Sequence, residues 1–211
     1  MKIISDKYLV VLLISMYLTG LLGFIFLPNL FVPLTAFNLI LSTFLVLQRP
    51  FSKNEVDLKN LFYIAIIGII LEVIGVKTGL IFGEYHYGDA FGFKLFDVPI
   101  LIGLNWTILI VCANAIIKTA INNQIVQSLL VAGILTFMDL FIEQIAGKYD
   151  FWYWKNNVIP MRNYIAWFII AFFLNFVFGN KINMKNKIIP VTYLLAQLLF
   201  FISLNIHLQL N

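Results

Sequence analysis

Apolar residues run along this chain in long stretches separated by short polar ones. Seven stretches hold the roughly 20 mainly apolar residues needed to cross a bilayer: 8–27, 30–48, 61–81, 98–118, 124–146, 162–179 and 188–208. The expected fold is all-α, a polytopic membrane helical bundle of about seven spans in a single domain over 1–211. Pro28-Asn29 leaves only a tight turn between the first two spans, which predicts a hairpin. The segment from Arg49 to Asp57 is the first clearly polar linker. Lys2 and Lys7 precede the first span and no small-residue cleavage site follows it, so it reads as a retained anchor.

Composition strengthens this picture. The 211 residues are 62% apolar and 11% charged, with 21 Phe, 9 Tyr and 4 Trp. Soluble domains are nearer 45–50% apolar and about 25% charged. A small water-soluble domain buries only about two-thirds of its surface, too little to hide so many apolar side chains. A net charge of +4 with thinly spread basic residues makes no nucleic-acid patch. The single Cys112, in an apolar run, excludes a disulfide framework and a cysteine-rich metal site. His86 and His207 lack ligand spacing, and no phosphate loop, nucleophile elbow or aspartate-rich diphosphate motif is present. Neither a metal nor a cofactor is expected.

With seven spans the termini lie on opposite sides. Lys2, Lys7, Arg49, Lys53, Lys59, Lys118, Lys181, Lys185 and Lys187 fall on the N-terminal side; Lys77, Lys94, Lys148, Lys155 and Arg162 fall on the other. This excess predicts an integral protein of the cell (inner) membrane with its N-terminus in the cytoplasm.

The two longest outer loops are aromatic and charged: Phe82-Gly83-Glu84-Tyr85-His86-Tyr87-Gly88-Asp89 and Gly147-Lys148-Tyr149-Asp150-Phe151-Trp152-Tyr153-Trp154. Each leads to a span opening near a proline, Pro99 or Pro160, and proline suits a first helical turn. An interfacial aromatic belt would account for such loops without any function. The acids inside the spans are harder to explain that way. Glu72 lies roughly 16 Å along the third span at 1.5 Å per residue. Asp139 and Glu143, one turn apart in the fifth, share a helix face. A charge at the bilayer centre costs about 2.5–3.5 kcal/mol even on the lenient scale, so these acids should face inward. They are either packing devices bonded to Asn105, Asn114 or Asn163, or parts of a site. Alternating span directions bring all three to the depth of Asn105-Trp106 and Asn163/Trp167, which favours one shared site.

There is also an internal echo. Glu72, Gly75, Tyr85-x-Tyr87, Val98-Pro99 and Asn105-Trp106 are answered by Glu143, Ala146, Trp152-x-Trp154, Ile159-Pro160, Asn163 and Trp167. It predicts a parallel repeat about an axis along the membrane normal, with a cavity between its halves. Such a pocket suits a long unsaturated hydrocarbon. A carboxyl among apolar side chains can hold its proton at neutral pH and deliver it to an alkene. Indole and phenol faces stabilise the cation by about 0.5–2 kcal/mol each, and a nearby carboxylate adds more. Attack by water gives hydration; attack by an internal double bond gives cyclisation.

The runs Asp139-Leu140-Phe141-Ile142-Glu143-Gln144-Ile145-Ala146, Asp150-Phe151-Trp152-Tyr153-Trp154 and Ile159-Pro160-Met161-Arg162-Asn163-Tyr164-Ile165-Ala166-Trp167 resemble the signature of the carotenoid biosynthesis protein family. So do Glu72-x-x-Gly75, Phe82-Gly83-Glu84-Tyr85-His86-Tyr87, and Val98-Pro99 before Asn105-Trp106. The likeness covers about residues 68–170. It departs at Gln144, where proline is expected, and a straighter fifth span would follow. The resemblance implies a membrane carotenoid 1,2-hydratase, like the family's hydratases of γ-carotene or lycopene ends and of bisanhydrobacterioruberin. Its substrates would be a carotenoid and water, and its surroundings the lipid bilayer and other membrane enzymes of the pathway. Water would add across the terminal isopropylidene bond of an acyclic ψ-end. Asp139 or Glu143 would be the general acid and the other the base, with Glu72 a facing stabiliser. Asn105 and Asn163 would orient Glu72 and the water. Tyr85, Tyr87, Trp106, Trp152, Trp154 and Trp167 would line the pocket. The competing readings are a small membrane carotenoid cyclase and a seven-helix carrier that binds a lipid without transforming it.

Overall fold

The computed structural model describes residues 5–210; Lys2, counted in the charge bias above, lies outside them. Helix α1 spans Asp6–Phe26 and is followed by the one-turn α2, Pro28–Phe31. A single 3-10 turn then leads into α3, Thr35–Ser52. The others are α4 Leu58–Thr78, α5 Leu101–Ile117, α6 Gln124–Ala146, α7 Met161–Phe178 and α8 Ile188–Leu210. Among the described residues, six stretches are long and apolar enough to cross a membrane: Asp6–Phe26, Pro28–Ser52, Leu58–Thr78, Gln124–Tyr149, Met161–Lys181 and Ile188–Leu210. Helix α5 is apolar but shorter. The chain is therefore an all-α membrane bundle.

Local chemistry sets the ends of these helices. The Asp57 carboxylate accepts from the Lys59 N–H and caps α4. Gly79, at φ 66, ends it, a left-handed conformation that costs glycine nothing. The third span thus begins and ends about a turn earlier than the apolar run indicates. Helix α5 starts at Leu101 rather than at 98 because the preceding residues form a hairpin. Strand β2 (Lys94–Leu95) pairs with β3 (Val98–Pro99) through Phe96 and Asp97, both at positive φ, the geometry of a two-residue primed turn. Helix α6 runs unbroken through Gln144.

Every residue of α5 from Trp106 to Ala115 is buried, because α3, α4, α6, α7 and α8 all touch this helix. A helix apolar on all sides belongs in such a position. The expected hairpin between the first two spans is loose: α1 packs chiefly along α8 and only lightly on α3. A cavity of about 370 Å³, lined by Met16 and Gly20 of α1, Thr35 and Asn38 of α3 and Gln197 of α8, keeps α1 and α3 apart.

Helices α4 and α6 end, and α5 and α7 begin, at one end of the bundle. There β1 (Tyr85–Tyr87) pairs antiparallel with β4 (Trp152–Trp154), forming a short ribbon between the two aromatic loops. At the opposite end Asn114 donates to Asn175 at 2.8 Å and Asn175 to Ser128 at 3.1 Å. Lys118 Nζ bonds the carbonyls of Gly179, Asn180 and Ile182 at 2.9–3.2 Å.

Candidate active site

The ribbon register pairs Tyr85 with Trp154, His86 with Tyr153 and Tyr87 with Trp152. Side chains alternate faces along a strand, so the two tyrosines and two tryptophans share one face. His86 and Tyr153 stack on the other, with ring centroids 5.3 Å apart. The four inward rings descend on two buried glutamates. Glu72 Oε2 accepts from the hydroxyls of Tyr85 (2.6 Å) and Tyr87 (2.8 Å), and Oε1 from the Trp106 indole (3.1 Å). Glu143 Oε2 accepts from the indoles of Trp152 (2.9 Å) and Trp154 (2.6 Å), and Oε1 from the Asn163 amide (2.8 Å). Each carboxyl thus meets three donors.

The sequence provides for this closeness. A Cβ at Gly68 would lie 2.8 Å from Trp106 Cδ1, so only glycine, one turn before Glu72, lets the indole reach the acid. Trp106 then stacks on Trp167 at 4.3 Å and 26°, joining α5 to α7. Asn163 sits in the first turn of α7, where partial positive charge collects, and its amide nitrogen bridges Glu143 and Asp139 Oδ2 (2.9 Å).

A small cavity of about 20 Å³ lies between the glutamates, enough for one water molecule. Glu72, Tyr85, Tyr87, Asn105, Glu143, Trp152, Trp154, Asn163 and Trp167 line it, with Phe82 and Ile102. Asp139 does not. It is fully buried, with Oδ1 unpartnered, and stands one step back behind the Asn163 amide. Asn105 lines the cavity but makes no side-chain hydrogen bond to Glu72; Trp106 makes it instead. Asn114 pairs with Asn175 at the far end of the bundle rather than with an acid.

Burial and the neighbouring Glu72 carboxyl push the Tyr85 and Tyr87 hydroxyls well above 10, so both phenols keep their protons and serve Glu72 as neutral donors. Outside the ribbon, Lys155 pairs with Glu84 at 2.6 Å and ties the two loops together, while Lys94 pairs with Asp89 at 2.7 Å within the first loop and Lys77 of α4 pairs with Asp97. Among the described residues, no group of three His, Cys, Asp or Glu side chains is arranged to hold a metal ion.

The larger cavity was not foreseen from the sequence. It adjoins the small one through Asn105, Trp152 and Trp167, which line both. Its walls come from the first, second and last spans, whose apolar residues resemble any lipid-facing run. The polar Asn38 and Gln197 inside those runs are the signal that could have marked it.

A family model described as carotenoid biosynthesis protein matches residues 31–211, which include every residue of the acid site. A curated relative, the bisanhydrobacterioruberin hydratase of Haloarcula japonica, is 24% identical over 151 residues, covering 64% of this chain and 50% of that protein. The chain thus spans about half the length of that relative. No solved structure matches.

Proposed function

The chain belongs to the carotenoid biosynthesis protein family, and from that premise we propose that it is a membrane carotenoid hydratase, adding water across the terminal C1–C2 double bond of an acyclic ψ-end. The observation that carries the reading is the pair of buried glutamates facing one water-sized cavity with aromatic walls. The relative named a hydratase supports the same reaction class.

The donor chemistry of the two carboxyls separates their roles. Phenol hydroxyls both donate and accept, whereas an indole N–H only donates. A proton on Glu72 can therefore be accommodated by Tyr85 and Tyr87 turning to accept. A proton on Glu143 Oε2 would confront two indole donors with nothing to receive it. Glu72 is accordingly the general acid and Glu143 the carboxylate. Glu72 gives its proton to C2, leaving positive charge on the tertiary C1. The rings of Trp152, Trp154 and Trp167 and the Glu143 charge stabilise that cation in a site without bulk water. The cavity water bonds through its oxygen to C1 and loses a proton to Glu143, giving a tertiary alcohol. The next water, lying between the two carboxyls, returns the proton from Glu143 to Glu72, so alkene plus water balances the alcohol. Asn163 fixes the direction of Glu143, and Asp139 fixes Asn163.

The test is incubation of membranes carrying the protein with an acyclic ψ-ended carotenoid in H2(18)O without oxygen. The expected product is heavier by one water and carries the label. A product of unchanged mass would make the protein a cyclase, and binding without any product would make it a carrier.

A further inference from the structure

The larger cavity has no part in the chemistry above, yet it adjoins the acid site, and Asn105, Trp152 and Trp167 line both. Its lining includes Phe24 of α1, Phe31 of α2 and Phe200 of α8. Leu34 and Phe37, which also line it, are exposed on the outside of the bundle. The cavity therefore opens to the surroundings beside α3, where α1 and α3 barely touch. Its lining on α8 runs from Tyr193 to Phe201, about 12 Å at 1.5 Å per residue. A carotenoid is about as long as the hydrocarbon layer is thick, roughly 30 Å, so most of such a chain has no room inside.

We propose that this cavity is the polyene-binding channel. It takes one arm of an acyclic carotenoid sideways from the lipid through the gap between α1 and α3, and leaves the rest of the chain outside the bundle. The two ends of one molecule are then hydrated in separate binding events, with release and re-entry between them. This inference rests on the hydratase reading above. A mainly apolar, aromatic-lined channel binds a polyene by burying apolar surface.

The experiment compares a carotenoid with a short acyclic terpene bearing the same dimethyl-alkenyl end, whose chain is too short to fill the channel. Gly20→Leu fills the channel from α1, where a Cβ meets Phe200 at an ordinary 3.6 Å. Thr35→Leu fills it from the opposite wall, at a hydroxyl with no partner to lose. Either should lower kcat/KM for the carotenoid about tenfold, mainly through KM, because the added side chain takes space the polyene needs. Turnover of the short terpene should stay within about twofold. With a substrate carrying two ψ-ends, the singly hydrated product should accumulate before the doubly hydrated one. Equal losses for both substrates in both variants, an unchanged carotenoid rate, or direct appearance of the doubly hydrated product would overturn the channel. Failure of the unaltered protein to hydrate either substrate would instead overturn the hydratase reading.

Discussion

The two halves of the acid site share a plan and differ in chemistry. In each, a helix presents a buried glutamate near its end, a three-residue strand lays two aromatic donors on it, and the next helix supplies a third. On the Glu72 side the strand donors are phenols and the third is the Trp106 indole. On the Glu143 side they are indoles and the third is the Asn163 amide. The position one turn earlier differs too. Gly68 makes room for Trp106, whereas Asp139 meets the Asn163 amide. One scaffold used twice thus yields a carboxyl whose partners can exchange protons and one whose strand partners can only hold a charge. Hydration needs both, because one proton is given to C2 and another is taken from the water that bonds to C1.

The largest effects should come from removing the carboxyls. Glu72→Gln and Glu143→Gln keep shape, and each should cost about 10²–10⁴ in hydration rate, the usual worth of a positioned proton carrier. Turnover alone does not separate them. An isoprenoid tertiary ammonium, which copies the charge at C1 without reacting, should do so, since analogues of the cation bind through what stabilises it. Its affinity should fall about tenfold or more in Glu143→Gln and much less in Glu72→Gln. Equal losses in the two variants, read by displacement of bound carotenoid, would erase the distinction between the halves.

The donors come next. Trp154→Phe keeps the ring but removes the 2.6 Å N–H bond to Glu143. A hydrogen bond to a buried charge is worth about 1.5–3 kcal/mol, so the rate should drop about 10- to 100-fold. Tyr85→Phe and Tyr87→Phe should each cost less, because the other phenol remains on the same Glu72 oxygen. The double variant should cost more than the sum of the two, the mark of groups acting as a unit. Both hydroxyls keep their protons because burial and Glu72 hold them well above 10. The Tyr→Phe effects should therefore not change between neutral and mildly alkaline pH. A steep pH dependence in the ratio of wild type to double variant would show that the phenols ionise during turnover.

Much of this site is legible in the sequence because ionisable residues in apolar runs stand out and helical spacing fixes their depth. The echo between Tyr85-x-Tyr87 and Trp152-x-Trp154 is realised as a paired strand register, and the acids, Asn163 and the four tryptophans do converge. What the sequence hides is which group stands in front. Asp139 and Glu143 share a helix face, but nothing in an i,i+4 spacing says that the Asn163 amide occupies the space between Asp139 and the cavity. Asn105 and Trp106 are adjacent, and only the close approach at Gly68 shows that the indole takes the acid while the amide faces the cavity. The larger cavity is hidden for another reason. A wall that faces a hydrocarbon ligand and one that faces lipid carry the same residues, so hydropathy does not separate them.

The smallest effect expected in the acid site is at Asp139, and it tests the comparison most finely. If the two halves are alternative fillings of one scaffold, Asp139 with Asn163 does for Glu143 what Gly68 with Trp106 does for Glu72: it sets where the third donor sits. Asp139→Asn keeps an oxygen to accept from Asn163 Nδ2 and removes one ionisable group from a position that does not line the cavity. Hydration should fall by less than about tenfold, with no change in the affinity of the ammonium analogue, because a positioning role loses little when geometry is kept. Asp139→Ala, which leaves the Asn163 amide with one acceptor and opens a gap, should cost more, and the asparagine should restore most of it. A loss of 10²–10⁴ in Asp139→Asn, as large as that of Glu143→Gln, would mean that Asp139 carries the reacting proton through Asn163. The two halves would then differ in the number of working acids rather than in the partners of one.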